Sequence, residues 1–202
     1  MAEPSRYNVS GDEFVNDKIL KNKLEINNRE ILEDTETILL NDSYNNFLEL
    51  LSKGRVKFNL NLIFEIHKYF LGTLYTWAGK TRTVEISKDD ILFCAFSQIK
   101  NALKKFEEIL NKNLPTTKDS KKIVSENLSI IHCEFNAIHP FREGNGRTIR
   151  LFLDLLAVNC GFNLIDFEIT STEDYIKACK SGMTMDYKNM ANIIQKGLKK
   201  LS

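Results

Sequence analysis

The sequence predicts an all-α helical bundle that carries one small β-hairpin. Three observations lead there. Apolar residues recur at three- and four-residue intervals through most of the chain. A single stretch, 82–96, alternates polar and apolar residues instead. Only three prolines and nine glycines interrupt the 202 residues. The whole chain, 1–202, reads as a single domain, with a core over roughly 55–200 and an N-terminal helical extension over roughly 12–52.

From Asn28 to Leu51 the positions Ile31, Leu32, Ile38, Leu39, Phe47 and Leu50 repeat at helical spacing. A second helix is marked by Leu60, Ile63, His67, Phe70 and Leu74, and Trp77-Ala78-Gly79 breaks it. The hairpin comes next. Thr83-Val84-Glu85-Ile86 alternates, Lys88-Asp89-Asp90 is turn-like, and Ile91-Leu92-Phe93-Cys94 forms the return leg. Ser97 is placed to cap a helix bearing Ile99, Leu103, Phe106 and Leu110. Residues 111–122, with Pro115 and many polar residues, read as a surface loop. The clearest helix carries Val124, Leu128, Ile131, Phe135 and Ile138, and stops before Pro140, which disfavours helical geometry in the residue preceding it. Another runs from about Arg147 to Cys160 and ends on Gly161 at a C′ position. It is apolar nearly all round, which places it at the centre of a bundle. Ser171 with Asp174 resembles a capping box for a helix through Cys179, and a last helix begins near Asp186.

Composition excludes several classes. Hydrophobic residues make up 43% and charged residues 27%, as in ordinary globular proteins. A net charge of +1 gives no global pull toward nucleic acid or anionic lipid, so neither is expected as a direct partner. Cys94, Cys133, Cys160 and Cys179 form no C-x-x-C pair, which fits neither a zinc site nor a disulfide scaffold. Reduced thiols in a cytoplasmic protein are expected. Met1 to Tyr7 lacks the pattern of a signal peptide, and no apolar run approaches the ~20 residues of a membrane span.

The segment that carries chemistry is His139-Pro140-Phe141-Arg142-Glu143-Gly144-Asn145-Gly146-Arg147-Thr148-Ile149-Arg150. Two helices meet here. The start of the second exposes unpaired backbone N–H groups and the positive end of its dipole. Gly144 and Gly146 let the backbone approach a ligand and adopt positive φ, forming a nest for an anion. Arg147 and Arg150, three apart, fall on one face beside it, and two guanidinium forks suit phosphate oxygens. Glu143, a carboxylate amid positive charge, is placed to hold Mg²⁺ on a bound polyphosphate. His139 is a candidate base for an incoming hydroxyl, since imidazole titrates near neutrality. Base, metal ligand and phosphate cradle together imply phosphoryl or nucleotidyl transfer. Taken singly these residues have bland readings: a structural histidine, a plain Gly-Asn-Gly turn, solvated arginines. Phe141 reads as a core anchor and His132 as a satisfied structural histidine. Gly79-Lys80-Thr81 mimics the end of a phosphate-binding loop, but Leu74 stands where that loop needs glycine.

The string from His139 to Arg150 resembles the signature of the Fic family, H-P-F-x-[D/E]-G-N-G-R-x-x-R, at every position. The likeness extends to Leu20-Lys21-Asn22-Lys23-Leu24, to Tyr75-x-Trp77-Ala78-Gly79, to Arg82-Thr83-Val84-x-Ile86-Ser87-Lys88, and to Glu134-Phe135-Asn136-Ala137-Ile138. It implies a Fic-fold helical bundle whose hairpin is the family flap, with Thr83, Val84, Glu85, Ile86, Ser87, Lys88 and Phe93 on the surface where a target segment docks as an added strand. It implies a protein adenylyltransferase. His139 would deprotonate a Tyr, Thr or Ser hydroxyl that attacks the α-phosphate of ATP, with Glu143 holding Mg²⁺. Gly144, Asn145 and Gly146 would cradle the phosphates, and Arg147 and Arg150 would grip them. Packing of the hairpin alone is an equal reading of Val84 and Ile86.

The resemblance also implies regulation. Family members carry an inhibitory [S/T]-x-x-x-E-[G/N] helix whose glutamate pairs with the second arginine. Here the only Ser or Thr followed four residues later by Glu is Thr81, with Glu85, on the hairpin. The expectation is therefore a toxin held in check by a small antitoxin protein presenting that motif to Arg150. Family toxins of this size act on type II topoisomerase subunits, which makes that class a candidate target. Three readings stay open: transfer of another nucleotide, Doc-like transfer of phosphate, and a catalytically idle binding module.

Overall fold

The computed structural model describes residues 14–16, 19–88 and 91–201. Its elements are β1 (Phe14–Asn16), β2 (Ile19–Leu20), α1 (Arg29–Ser52), α2 (Leu60–Leu71), β3 (Ser87–Lys88), β4 (Ile91–Leu92), α3 (Ile99–Lys112), α4 (Lys121–Ile138), α5 (Asn145–Asn159), α6 (Thr172–Gly182) and α7 (Lys188–Gly197). Helices dominate, as the spacing predicts. The reading of Met1 to Tyr7 and the turn at 89–90 lie outside the described residues.

Side-chain caps fix several helix starts. Asn28, Asn59, Ser120 and Ser171 each accept a backbone N–H two or three residues into the helix that follows. At Ser171 the predicted pair is present, since its hydroxyl accepts from the Asp174 N–H and donates to the Asp174 carboxylate. At the far end of α5, Gly161 takes φ +83 as expected.

Four local expectations change. The N-terminal extension is helical only from Arg29, because β1 and β2 pair antiparallel ahead of it. There are thus two small two-stranded sheets among the described residues, not one hairpin. The predicted hairpin pairs only Ser87 with Leu92 and Lys88 with Ile91, so Thr83 to Ile86 lie outside the ladder. Ser97 sits inside a 3-10 turn, Phe96–Gln98, and caps nothing.

Helix α5 is the central rod. Ile149, Leu151, Phe152, Leu153, Leu155, Leu156 and Ala157 are all buried, and α1, α2 and α4 pack around it. Helix α4 presents Val124, Leu128, Ile131 and Phe135 to the same core, and α7 closes its other side. The Asn22 amide braces the segment before α1 through the Leu20 and Ile26 backbone, and the Lys23 ammonium donates to the Gly72 carbonyl at the C-terminal end of α2. None of the four cysteines is paired. Among the described residues no helix is long and apolar enough to cross a membrane.

Candidate active site

The site is built where α4 ends and α5 begins. His139 is the C-cap of α4 in left-handed geometry, φ 51 and ψ 59. Pro140 follows and forbids further helix. A non-glycine residue pays about 1 kcal/mol or more for this conformation, so its neighbours must hold it there. The ring is buried and stacks on Phe93, centroids 3.9 Å apart. Its Nδ1 lies 2.9 Å from the Asn136 carbonyl oxygen. A carbonyl only accepts, so Nδ1 carries the proton and Nε2 carries the lone pair.

Phe141 is fully buried, stacked on His67 at 3.7 Å and edge-on to Phe64 at 5.0 Å, which makes it the expected anchor. Asn145 has a different role from the one its position suggests. Its side chain is fully buried, with Oδ1 accepting from the Phe141 N–H at 2.8 Å and Nδ2 donating to the Phe141 carbonyl at 2.9 Å. Through these two bonds it braces the loop. Gly144 has φ +78, and a Cβ there would come within 2.7 Å of Leu71 Cδ1. Gly146 is helical, contrary to the positive φ expected of it, and has open space where a side chain would stand.

Sequence reasoning missed His67. It lies on the buried stripe of α2, where it reads as one more core position. Its Nδ1 accepts from the Gly79 N–H at 2.8 Å, so Nε2 bears the proton and donates to the Glu143 carbonyl at 2.9 Å. The imidazole therefore fixes the loop that carries Glu143. The signal available was a histidine among Ile63, Phe70 and Leu74, since both ring nitrogens of a buried histidine need partners. His132 is only half satisfied: Nε2 lies 2.8 Å from the Tyr175 hydroxyl, while buried Nδ1 has no hydrogen-bond partner among the described residues.

The Glu143 carboxylate is buried and accepts the Gly144 N–H at 2.8 Å. Burial pushes its pKa up to about 7, against the opposing pull of Arg147 and the Gly144 N–H. The two motif arginines diverge. Arg147 Nη1 sits 2.6 Å from Glu36 of α1, with Nη2 3.6 Å from Glu143 and the guanidinium over the Phe70 ring. Arg150 is half-buried, its guanidinium carbon 5.9 Å from the centre of the Tyr175 ring on α6. The expected common face is thus split, Arg147 reaching toward α1 and α2 and Arg150 toward α6.

In the hairpin, Ile86 and Phe93 are buried together against Val84, Ile91 and Met183, so their side chains pack the flap. Thr83 and Glu85 are exposed, and Ser87 and Lys88 half-exposed. A cavity of about 340 Å³ opens between β4 and α6, lined by Ile91, Leu92, Lys180 and Met183.

Burial makes the three histidines acid-sensitive. It lowers the pKa of His67 to about 4, and those of His132 and His139 to about 3. Unfolded, each binds a proton near 6.5, so the stability from keeping them neutral is full above that pH and is lost as pH falls. Two carboxyls oppose this, because burial raises Glu143 to about 7 and Asp154 to about 6. Three histidine protons against two carboxyl protons leave about one proton taken up on unfolding. Stability is expected to fall by about 1 kcal/mol per pH unit from about pH 6 to about pH 4. Urea unfolding across that range measures it, and a stability that rose on acidification would contradict this account.

Residues 57–157 match the Fic/DOC family. The chain belongs to that family. It is 32% identical over 179 residues to protein adenylyltransferase VbhT of Bartonella schoenbuchensis, covering 86% of this chain and 36% of that protein. It is 31% identical over 162 residues to probable protein adenylyltransferase y4lH of Sinorhizobium fredii, covering 79% of this chain and 82% of that one. Among solved structures, the N-terminal FIC domain of Bep8 from Bartonella sp. 1-1C superposes with a TM-score of 0.77 at 25% identity, covering 92% of this chain and 93% of that chain. The chain therefore spans about a third of VbhT and most of y4lH. The Fic fold, with its helical bundle and flap, accounts for the architecture described above.

Proposed function

We propose that this Fic chain is a protein adenylyltransferase that moves AMP from ATP to a hydroxyl side chain of a target protein. The single observation that carries the reading is the His139 imidazole. Its Nδ1 proton is donated to the Asn136 carbonyl, which puts the basic nitrogen, Nε2, on the ring that stands at one end of a six-residue turn leading to the start of α5. In the reaction Nε2 takes the proton of a Tyr, Thr or Ser hydroxyl. That oxygen bonds to the α-phosphorus, the bond to the bridging oxygen breaks, and pyrophosphate leaves. Arg82 and Lys88 add to burial in holding the ring's pKa down. A bound polyphosphate opposes those cations and brings the ring toward the range where a base works.

The first N–H groups of α5 and the flanking arginines suit the phosphates. Glu143 is a hard, buried oxygen donor, which fits Mg²⁺ carried in by the nucleotide, since that ion takes one or two carboxylates and fills its shell with phosphate oxygens and water. When bound, the ion would neutralise phosphate charge. An added target strand would pair with a hairpin edge through main-chain hydrogen bonds.

The test is labelling of a bacterial lysate with ATP carrying label on either the α- or the γ-phosphate, with a type II topoisomerase subunit as the first purified candidate. Label from the α position alone is expected. Label from γ alone would make the enzyme a kinase, and none from either would overturn the reading. The toxin reading adds an intracellular target and an antitoxin. It draws on the one Ser/Thr-x-x-x-Glu pair in these 202 residues, Thr81 and Glu85, being followed by Ile86 and lying on the hairpin, where Glu85 accepts the Phe96 N–H beside Arg82. A partner protein is then expected to co-purify with the wild-type chain; a lone, active and harmless chain would argue the other way.

A further inference from the structure

We propose that Arg82 is the positioning residue for the His139 imidazole, tying the carbonyl of that residue to both legs of the hairpin so that the second leg lays Phe93 on the ring. The proposal rests on reading His139 as the base. Arg82 is 4% exposed and lies at the root of the flap. Its Nε donates to the His139 carbonyl at 2.9 Å and Nη1 to the Val84 carbonyl at 2.7 Å. Nη2 donates to the Cys94 carbonyl and, at 3.4 Å, to that of Ile138. Its own N–H donates to the Pro140 carbonyl at 2.8 Å. One planar cation thereby joins the first leg, the second leg and the end of α4.

The chemistry explains the choice of residue. The last carbonyls of a helix have no intrahelical partner, and a cation beside them is favoured. Only a guanidinium offers five N–H groups in a fixed fork, so one side chain can meet carbonyls from three directions. Lysine concentrates its donors at a single point. The carbonyl of His139 belongs to a non-glycine residue in left-handed geometry, a conformation that persists only where the surroundings over-determine it. Arg82 holds the backbone, the Asn136 carbonyl holds Nδ1, and Phe93, next to the gripped Cys94, covers the ring face. A second seam, from the Cys94 N–H to the Ala137 carbonyl at 3.3 Å, runs parallel.

The experiment compares wild type with Arg82→Lys in three measurements. Long-range proton–nitrogen correlation of the imidazoles in nucleotide-free protein is readable because the chain has only three histidines. Wild-type His139 is expected as a single Nδ1–H tautomer, and Arg82→Lys as a mixture. Single-turnover AMP transfer should fall about 10- to 100-fold, the loss expected when a reacting group is misplaced by an ångström or less. Nucleotide affinity should stay within about threefold, because no phosphate contact is assigned to Arg82. An unchanged tautomer in folded Arg82→Lys overturns the proposal, as does a loss of nucleotide affinity in parallel with transfer. If Arg82→Lys does not fold, Phe93→Leu strikes the same linkage from its other end, and a retained single tautomer there also overturns it. The tautomer is read without any reaction, so failure of the proposed activity and failure of this linkage are distinguishable.

Discussion

His139→Ala is expected to lower AMP transfer by about 10²- to 10⁴-fold, the range for loss of a general base, while nucleotide binding stays within a few-fold of wild type. The separation follows from where the contacts lie. The phosphate cradle is built from the start of α5 and its flanking arginines, and the loop beneath it is held by His67, Asn145 and Phe141 rather than by the His139 ring. Alanine is poorly suited to left-handed geometry, so His139→Asn should accompany it, since asparagine tolerates that region better. Both variants should bind ATP and neither should transfer. The assay is single-turnover labelling from α-labelled ATP beside a direct nucleotide titration. Transfer by folded His139→Asn within about tenfold of wild type would remove the imidazole from the mechanism.

Much of this site is local in sequence, which is why it could be read. His139, Glu143, Gly144 and Arg147 sit within nine residues, and the helix stop before Pro140 follows from proline stereochemistry, while α5 restarts at Asn145, two residues ahead of the expected Arg147. Helical periodicity likewise located α1, α2, α4 and α5, because a bundle requires each of them to bury one stripe or more. What periodicity could not supply was the work of polar residues that look like something else. His67 sits in an apolar stripe, Asn145 has the type and place of a ligand yet braces a loop, and Arg82 resembles a hairpin-edge cation while being buried against four carbonyls. Strands of two or three residues are also too short for alternation to define. The extent of β3–β4 and the presence of β1–β2 therefore follow from tertiary docking rather than from local pattern.

The longest-range element of the site is Glu36, 111 residues from the arginine it holds. Glu36→Ala is expected to destabilise the fold by about 3–5 kcal/mol, the cost of breaking a buried ion pair from one side. Exposure decides between this figure and the 1 kcal/mol or less of a surface pair. The Arg147 and Glu36 side chains are 15% and 9% exposed, and the second carboxylate oxygen accepts the Tyr75 hydroxyl at 2.7 Å. Among the described residues, removing the carboxylate leaves a desolvated guanidinium with Glu143, at 3.6 Å, as its remaining carboxylate, and strands the Tyr75 hydroxyl as well. Glu143 moderates the loss toward the lower end. Glu36→Gln should cost far less, because its amide oxygen can still accept from Arg147 while its amide nitrogen donates to Tyr75. Urea unfolding of Glu36→Ala, Arg147→Ala and the double variant would measure the coupling. Additive effects, or a Glu36→Ala loss under about 1 kcal/mol, would mean that water screens the pair. A large coupling would make α1 a structural part of the phosphate cradle. The segment before the core would then hold the motif's first arginine in the place where a polyphosphate has to meet it.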